Sequence, residues 1–174
     1  MSESLIPLII THEVHPQTLS SILINAYRKA TEIKSPPTII LLTETSKEAI
    51  QAYNYDSITH PPIDSFKSPF LGWDLPKVAQ FLTENAKKSR VDAWVFLIAD
   101  EKTAEDGETL LLAQSDSNGL KSVRVTGEDV NTEAIAVSVA TKDVGELITL
   151  VGEDGVYRSG YSKKKGGSAP RKQL

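Results

Sequence analysis

The chain contains no cysteine. Disulfides, thiolate metal sites and cysteine nucleophiles are therefore excluded. There is no Gly-x-Gly-x-x-Gly fingerprint and no phosphate loop ending in Gly-Lys-Ser/Thr. Dinucleotide- and nucleotide-dependent chemistry is disfavoured, because those glycines let backbone N–H groups approach phosphates. A Gly-x-Ser-x-Gly nucleophile elbow is missing too. No apolar run approaches the roughly 20 residues that a membrane helix needs. The start, Met-Ser-Glu-Ser, lacks a basic region followed by a long apolar run, so no signal peptide is expected. No cofactor and no membrane contact are expected, and the cytoplasm is the expected location.

Apolar residues make up 40% and charged residues 24% of the 174 positions, which suits one globular domain with a full core. Charge is unevenly placed. All 23 acidic residues precede Tyr161, whereas Lys163, Lys164, Lys165, Arg171 and Lys172 follow it. The acidic body argues against nucleic-acid binding by the folded part. Residues 1–160 read as a single domain. Residues 161–174, rich in Lys, Gly and Ser, read as a disordered basic tail, since they have almost no apolar surface to bury.

Leu5 to Ile10 reads as a buried strand. Leu19, Ile22, Leu23, Ala26, Tyr27, Ala30 and Ile33 form one helical stripe over residues 16–33, ended by Pro36-Pro37. Residues 38–43 are a second strand, and this order favours a right-handed parallel unit. Thr45 and Glu48 suggest a capping box for a short helix. Asp74 caps another. Ala93 to Ala99 is apolar throughout, as a central strand covered on both faces should be. It predicts a buried Trp94 and, at the end of the preceding loop, a Trp73 that is at least partly exposed. Asn118-Gly119 marks a hairpin between strands 108–114 and 121–125. Residues 134–140 read as a further strand. Asp143 and Glu146 then cap a helix bearing Val144, Leu147, Ile148 and Val151, with Gly152 placed to close it in a left-handed conformation. The fold class is α/β, a mixed sheet with a parallel βαβ start and an antiparallel second half, flanked by helices.

Three stretches resemble a known family: Leu8-Ile9-Ile10-Thr11, Val95 to Asp100, and Ala136 to Arg158. They are similar to a family of small α/β proteins of unknown function, common in actinobacteria and also present in fungi. The resemblance implies no established activity. Similar members often carry an arginine before the first-strand threonine and an aspartate after it; here Ile10 and His12 stand there.

Ligands of open α/β sheets favour the carboxyl ends of the parallel strands. That edge collects Thr11, His12, Glu13, Thr43, Glu44, Asp100 and Glu101. His12 with Asp100 or Glu101 would suit acid–base work; equally, polar residues end strands in most folds. His12 and His15 are not spaced as in the zinc-protease helix signature, so no metal is expected. Residues 54–73 lack periodicity and carry Tyr55, His60, Phe66, Phe70 and Trp73 among Pro61, Pro62 and Pro69. Long loops of this kind often bind, although their rings can also simply pin the loop. Residues 101–108 read as an acidic, solvated hairpin loop.

Two functions follow. One is a cytosolic binding or interaction module for an unknown small molecule or protein, using Thr11, Phe66, Phe70 and Trp73. The other is a small cofactor-independent enzyme with His12, Asp100 or Glu101 as acid–base groups. For the tail, a chain ending at Gly160 should keep its thermal midpoint. A drop of more than about 3 °C, roughly 1 kcal/mol for a chain of this size, would show that the tail docks.

Overall fold

The computed structural model describes residues 4–160. The expectation of a disordered tail concerns residues 161–174, which lie outside the described residues. In chain order the elements are β1 (Ile6–Ile10), α1 (Pro16–Glu32), β2 (Ile39–Leu41), α2 (Lys47–Ala52), a 3-10 turn (Tyr55–Ser57), α3 (Leu75–Asn85), β3 (Val95–Ala99), α4 (Glu101–Asp106), β4 (Thr109–Asp116), β5 (Gly119–Thr126), α5 (Gly127–Ser138), α6 (Val144–Thr149) and β6 (Val156–Tyr157).

They build one six-stranded mixed sheet in the order β2-β1-β3-β4-β5-β6. β1 runs parallel to both β2 and β3. β4 is antiparallel to β3 and β5, and β6 returns parallel to β5. Helices cover both faces because β1 and β3 are apolar at every position and must be buried twice over. Ile6, Leu8 and Ile10 point into a layer completed by α1, α5 and α6. Leu5 and Ile9 point into the other, with Phe70 and the inner face of α3. Each such side chain contributes about 1.5–3 kcal/mol on full burial.

Several boundaries follow the local chemistry. Asp74 accepts from the Lys77 N–H, and Asp143 from the Glu146 N–H, so both cap helices. Ser117-Asn118 joins β4 to β5 with Asp116 facing Gly119, whose positive φ of 107° suits glycine. The α2 cap is Ser46, one residue after Thr45; its hydroxyl accepts from the Ala49 N–H.

Four expectations are corrected. Residues 134–140 are not a strand: they continue and end α5. Val130, Ala134 and Val137 make its inward stripe, but buried Asn131 and Glu133 interrupt the pattern and leave a short alternation that mimics a strand. Residues 101–108 are no hairpin loop. Asp100 and Thr103 form a reciprocal capping box for α4, and Gly107 ends it at φ 66°. Gly152 does not close α6, which stops at Thr149; Gly155, at φ 75°, takes the left-handed position in the turn that leads to β6.

The last correction is Trp94, which is 48% exposed. Leu5 bridges Val91, and regular pairing resumes only at Leu8 with Leu97. The chain detours between these points, opposite Pro7, which has no N–H to donate. The Asp92 carboxylate accepts the Trp94 and Val95 N–H groups, both at 2.9 Å, and this holds the detour. Trp94 therefore points outward before β3 begins. Trp73 is half-buried, packed edge-on against Phe70 and Phe81. In single-tryptophan variants, acrylamide should quench Trp94 more readily than Trp73. Equal or reversed quenching would remove the detour.

Candidate functional site

Ile10 pairs with Ala99 across the parallel β1–β3 ladder, so Thr11 and Asp100 leave the sheet side by side at one edge. The Thr11 N–H donates to the Ala99 carbonyl at 3.0 Å, and its hydroxyl reaches the same oxygen at 3.5 Å. The 54–73 loop wraps this end of the sheet. It first covers β2: the Thr59 N–H donates to Ile39 O at 2.9 Å, and the Thr59 hydroxyl accepts from the Leu41 N–H at 2.8 Å. An edge strand is thereby masked. The loop then passes α1, where the Ile63 N–H donates to the Ser20 hydroxyl at 2.9 Å. Finally it crosses the end of β1. The buried Ser68 hydroxyl donates to Ile10 O at 2.6 Å, and the Gly72 N–H to Thr11 O at 2.8 Å. Gly72 adopts φ 80° to do so.

Beneath the loop lies an open cleft of about 600 Å³. Ile10, Val14, Pro16, Phe66, Leu71 and Ala104 supply its apolar lining. Glu13, His15 and Lys67, all exposed, bring charge or potential charge, and Thr18, Ser65 and Ser68 bring hydroxyls. The cleft thus takes parts from the β1–α1 connection, the first turn of α1, the loop and α4.

The sequence-predicted residues are distributed around this cleft rather than gathered in it. Phe66 lines it. Phe70 is fully buried in the opposite layer, in edge contact with Trp73 at 5.1 Å and Phe81 at 5.4 Å. Lys77 sits over the Trp73 ring at 4.2 Å. Both rings anchor the loop and lie outside the cleft lining. His12 is exposed, with Nδ1 3.1 Å from the Glu13 carbonyl. Glu101 is exposed in the first turn of α4. Neither lines the cleft.

Asp100 is occupied on every side. It caps α4 through the Thr103 N–H at 3.1 Å, and Arg124 of β5 grips it with both guanidinium nitrogens at 2.8 and 2.6 Å. Partial burial raises its pKa, but the Arg124 hydrogen bonds and charge, with those from Thr103, outweigh burial and leave it below the ordinary aspartate range. A carboxylate held charged in this way is a poor proton acceptor. Among the described residues, no group of three or more His, Cys, Asp or Glu side chains is placed to hold a metal ion. No helix among them is long and apolar enough to cross a membrane.

Sequence reasoning missed His15, Lys67, Leu71 and Ala104 as neighbours. Leu71 and Lys67 belong to the 54–73 loop, where the aromatic rings give the stronger sequence signal. Nothing local signals that Ala104 faces the start of α1.

The model of a domain of unknown function, DUF6924, matches residues 45–160. The chain belongs to this family. The match begins after β2, so β1, α1 and the first half of the cleft lie before it. No curated protein and no solved structure matches the chain.

The Asp100–Arg124 pair has a measurable signature. A lowered carboxyl pKa adds stability above the unfolded value of about 3.9, and that stability is lost as pH falls through the folded value. Asp100→Asn should therefore cost roughly 1–3 kcal/mol at neutral pH, as expected for hydrogen bonds to a charged group. The gap should shrink below about pH 4. Urea unfolding of both proteins at neutral and acid pH measures this. An equal gap at both would mean that the ion pair adds nothing.

Proposed function

We propose that this DUF6924 protein is a cytosolic binding module whose ligand enters the cleft between the start of α1, the 54–73 loop and α4. The observation that carries this reading is the cleft itself. Its volume of about 600 Å³ falls within the roughly 300–1,000 Å³ typical of small-molecule sites. Its lining combines six apolar side chains with six polar or charged ones, and such sites pair apolar surface with polar groups that orient the ligand. It also lies at the carboxyl ends of parallel strands, where open α/β sheets favour ligands. Phe66 and Leu71 are the loop residues that would touch the ligand, while Phe70 and Trp73 hold the loop in place.

Ala104 allows a clean test because it is exposed and lines the cleft, so a larger side chain there can fill the space without overpacking the core. Binding of 8-anilinonaphthalene-1-sulfonate, an anionic dye with an apolar aromatic body, can be titrated by its fluorescence. Ala104→Trp should weaken binding by about tenfold or more, the equivalent of roughly 1.4 kcal/mol, while the unfolding midpoint stays in place. Unchanged dye affinity in this variant would show that the cleft is not the binding site.

A further inference from the structure

Glu13 and Lys67 line the same cleft yet do not pair. Among the described residues, neither side chain makes a hydrogen bond or an ion pair. They come from different segments, Glu13 from the β1–α1 connection and Lys67 from the loop. Of the other charged groups near this edge, Asp100 is engaged by Arg124 and Lys102 pairs with Glu105, while Glu44 and Glu101 are exposed and lie outside the cleft lining. The second cavity, at the opposite edge of the sheet, differs. Its buried Asp92 is used up holding the Trp94 and Val95 N–H groups and the Ser138 hydroxyl. A smaller cavity of about 240 Å³ also holds charges of both signs, Arg28 with Glu108 and Glu128, but Ile22 is the one apolar side chain in its lining, whereas the first cleft sets Glu13 and Lys67 beside six.

We infer that the cleft takes a small amphipathic zwitterion, of the kind a free apolar amino acid represents. Glu13 receives the ammonium group, Lys67 receives the carboxylate, and the apolar part lies against Phe66, Leu71 and Val14. This rests on the binding reading above and names its ligand class. The physical reason is differential pairing. A ligand with one charge can pair with only one of the two exposed residues. A zwitterion satisfies both. His15, also at the cleft, adds a hydrogen-bonding group for the carboxylate.

Three probes of one shape separate the possibilities: L-phenylalanine, which is zwitterionic; phenethylamine, which has only the amine; and 3-phenylpropanoate, which has only the carboxylate. They are titrated into the full chain and followed by NMR chemical-shift changes. L-phenylalanine should bind about fivefold tighter than either analogue, the upper range for an exposed ion pair. Glu13→Gln should abolish its advantage over 3-phenylpropanoate. Lys67→Met should abolish its advantage over phenethylamine. Equal affinity for all three, or a preference for a singly charged probe, overturns the inference. So does failure of L-phenylalanine to bind a protein whose cleft still takes up the dye, and that result leaves the binding reading standing. Loss of the dye as well removes both.

Discussion

The end of β1 is the constraint on which the rest depends. This strand lies inside the sheet with neighbours on both sides, and all of its residues are buried. Its last carbonyls cannot reach water freely and need donors. The Ser68 hydroxyl and the Gly72 N–H provide them for Ile10 and Thr11. A loop of twenty residues with little regular structure is thereby tied to the centre of the sheet. Because it must cross there, it arches over the start of α1, and the space under the arch is the cleft. Phe70 locks the crossing from the other side by filling the second apolar layer.

A second set of buried polar contacts ties α1 and the entry to β2 to α5 and the segment that follows it. Asn131 of α5 accepts from the Thr38 N–H and hydroxyl and donates to Pro36 O, fixing the entry to β2. Asp129, two residues earlier, is paired with Lys29 of α1 and accepts the Ser159 N–H. Glu133 takes Lys142 and the Tyr157 hydroxyl. Burial, then the neighbouring Glu133 carboxylate, pushes the Tyr157 pKa up, so the phenol stays a donor. Removing one partner of such a buried pair is strongly destabilising, because it leaves an uncompensated buried charge. The segment matched by the family and the β1–α1–β2 segment before it thus share one core, and the cleft is built from both.

The edge of the sheet therefore divides by role. Asp100 and Thr11 serve the fold, one through Arg124 and the helix cap, the other through the β1–β3 ladder. The cleft beside them includes Glu13 and Lys67, whose side chains make no ion pair among the described residues.

Elements set by near neighbours were legible in the amino-acid order. The α1 stripe, the apolar runs of β1 and β3, the Asp74 and Asp143 caps and the β4–β5 turn each follow from residues within a few positions of one another. The sequence by itself also determined the mixed sheet, since βαβ order followed by a hairpin allows few other arrangements. Tertiary structure decided the rest. α5 is a helix because Asn131 and Glu133 find partners 93 and 24 positions away; without those contacts its pattern is ambiguous. Trp94 is exposed because of a detour opposite Pro7, on a different strand. Asp100 is spent on Arg124, 24 residues on, and the cleft assembles from four segments. Local periodicity reports which face of an element is apolar; which polar groups remain without partners depends on contacts that exist only once the chain is folded.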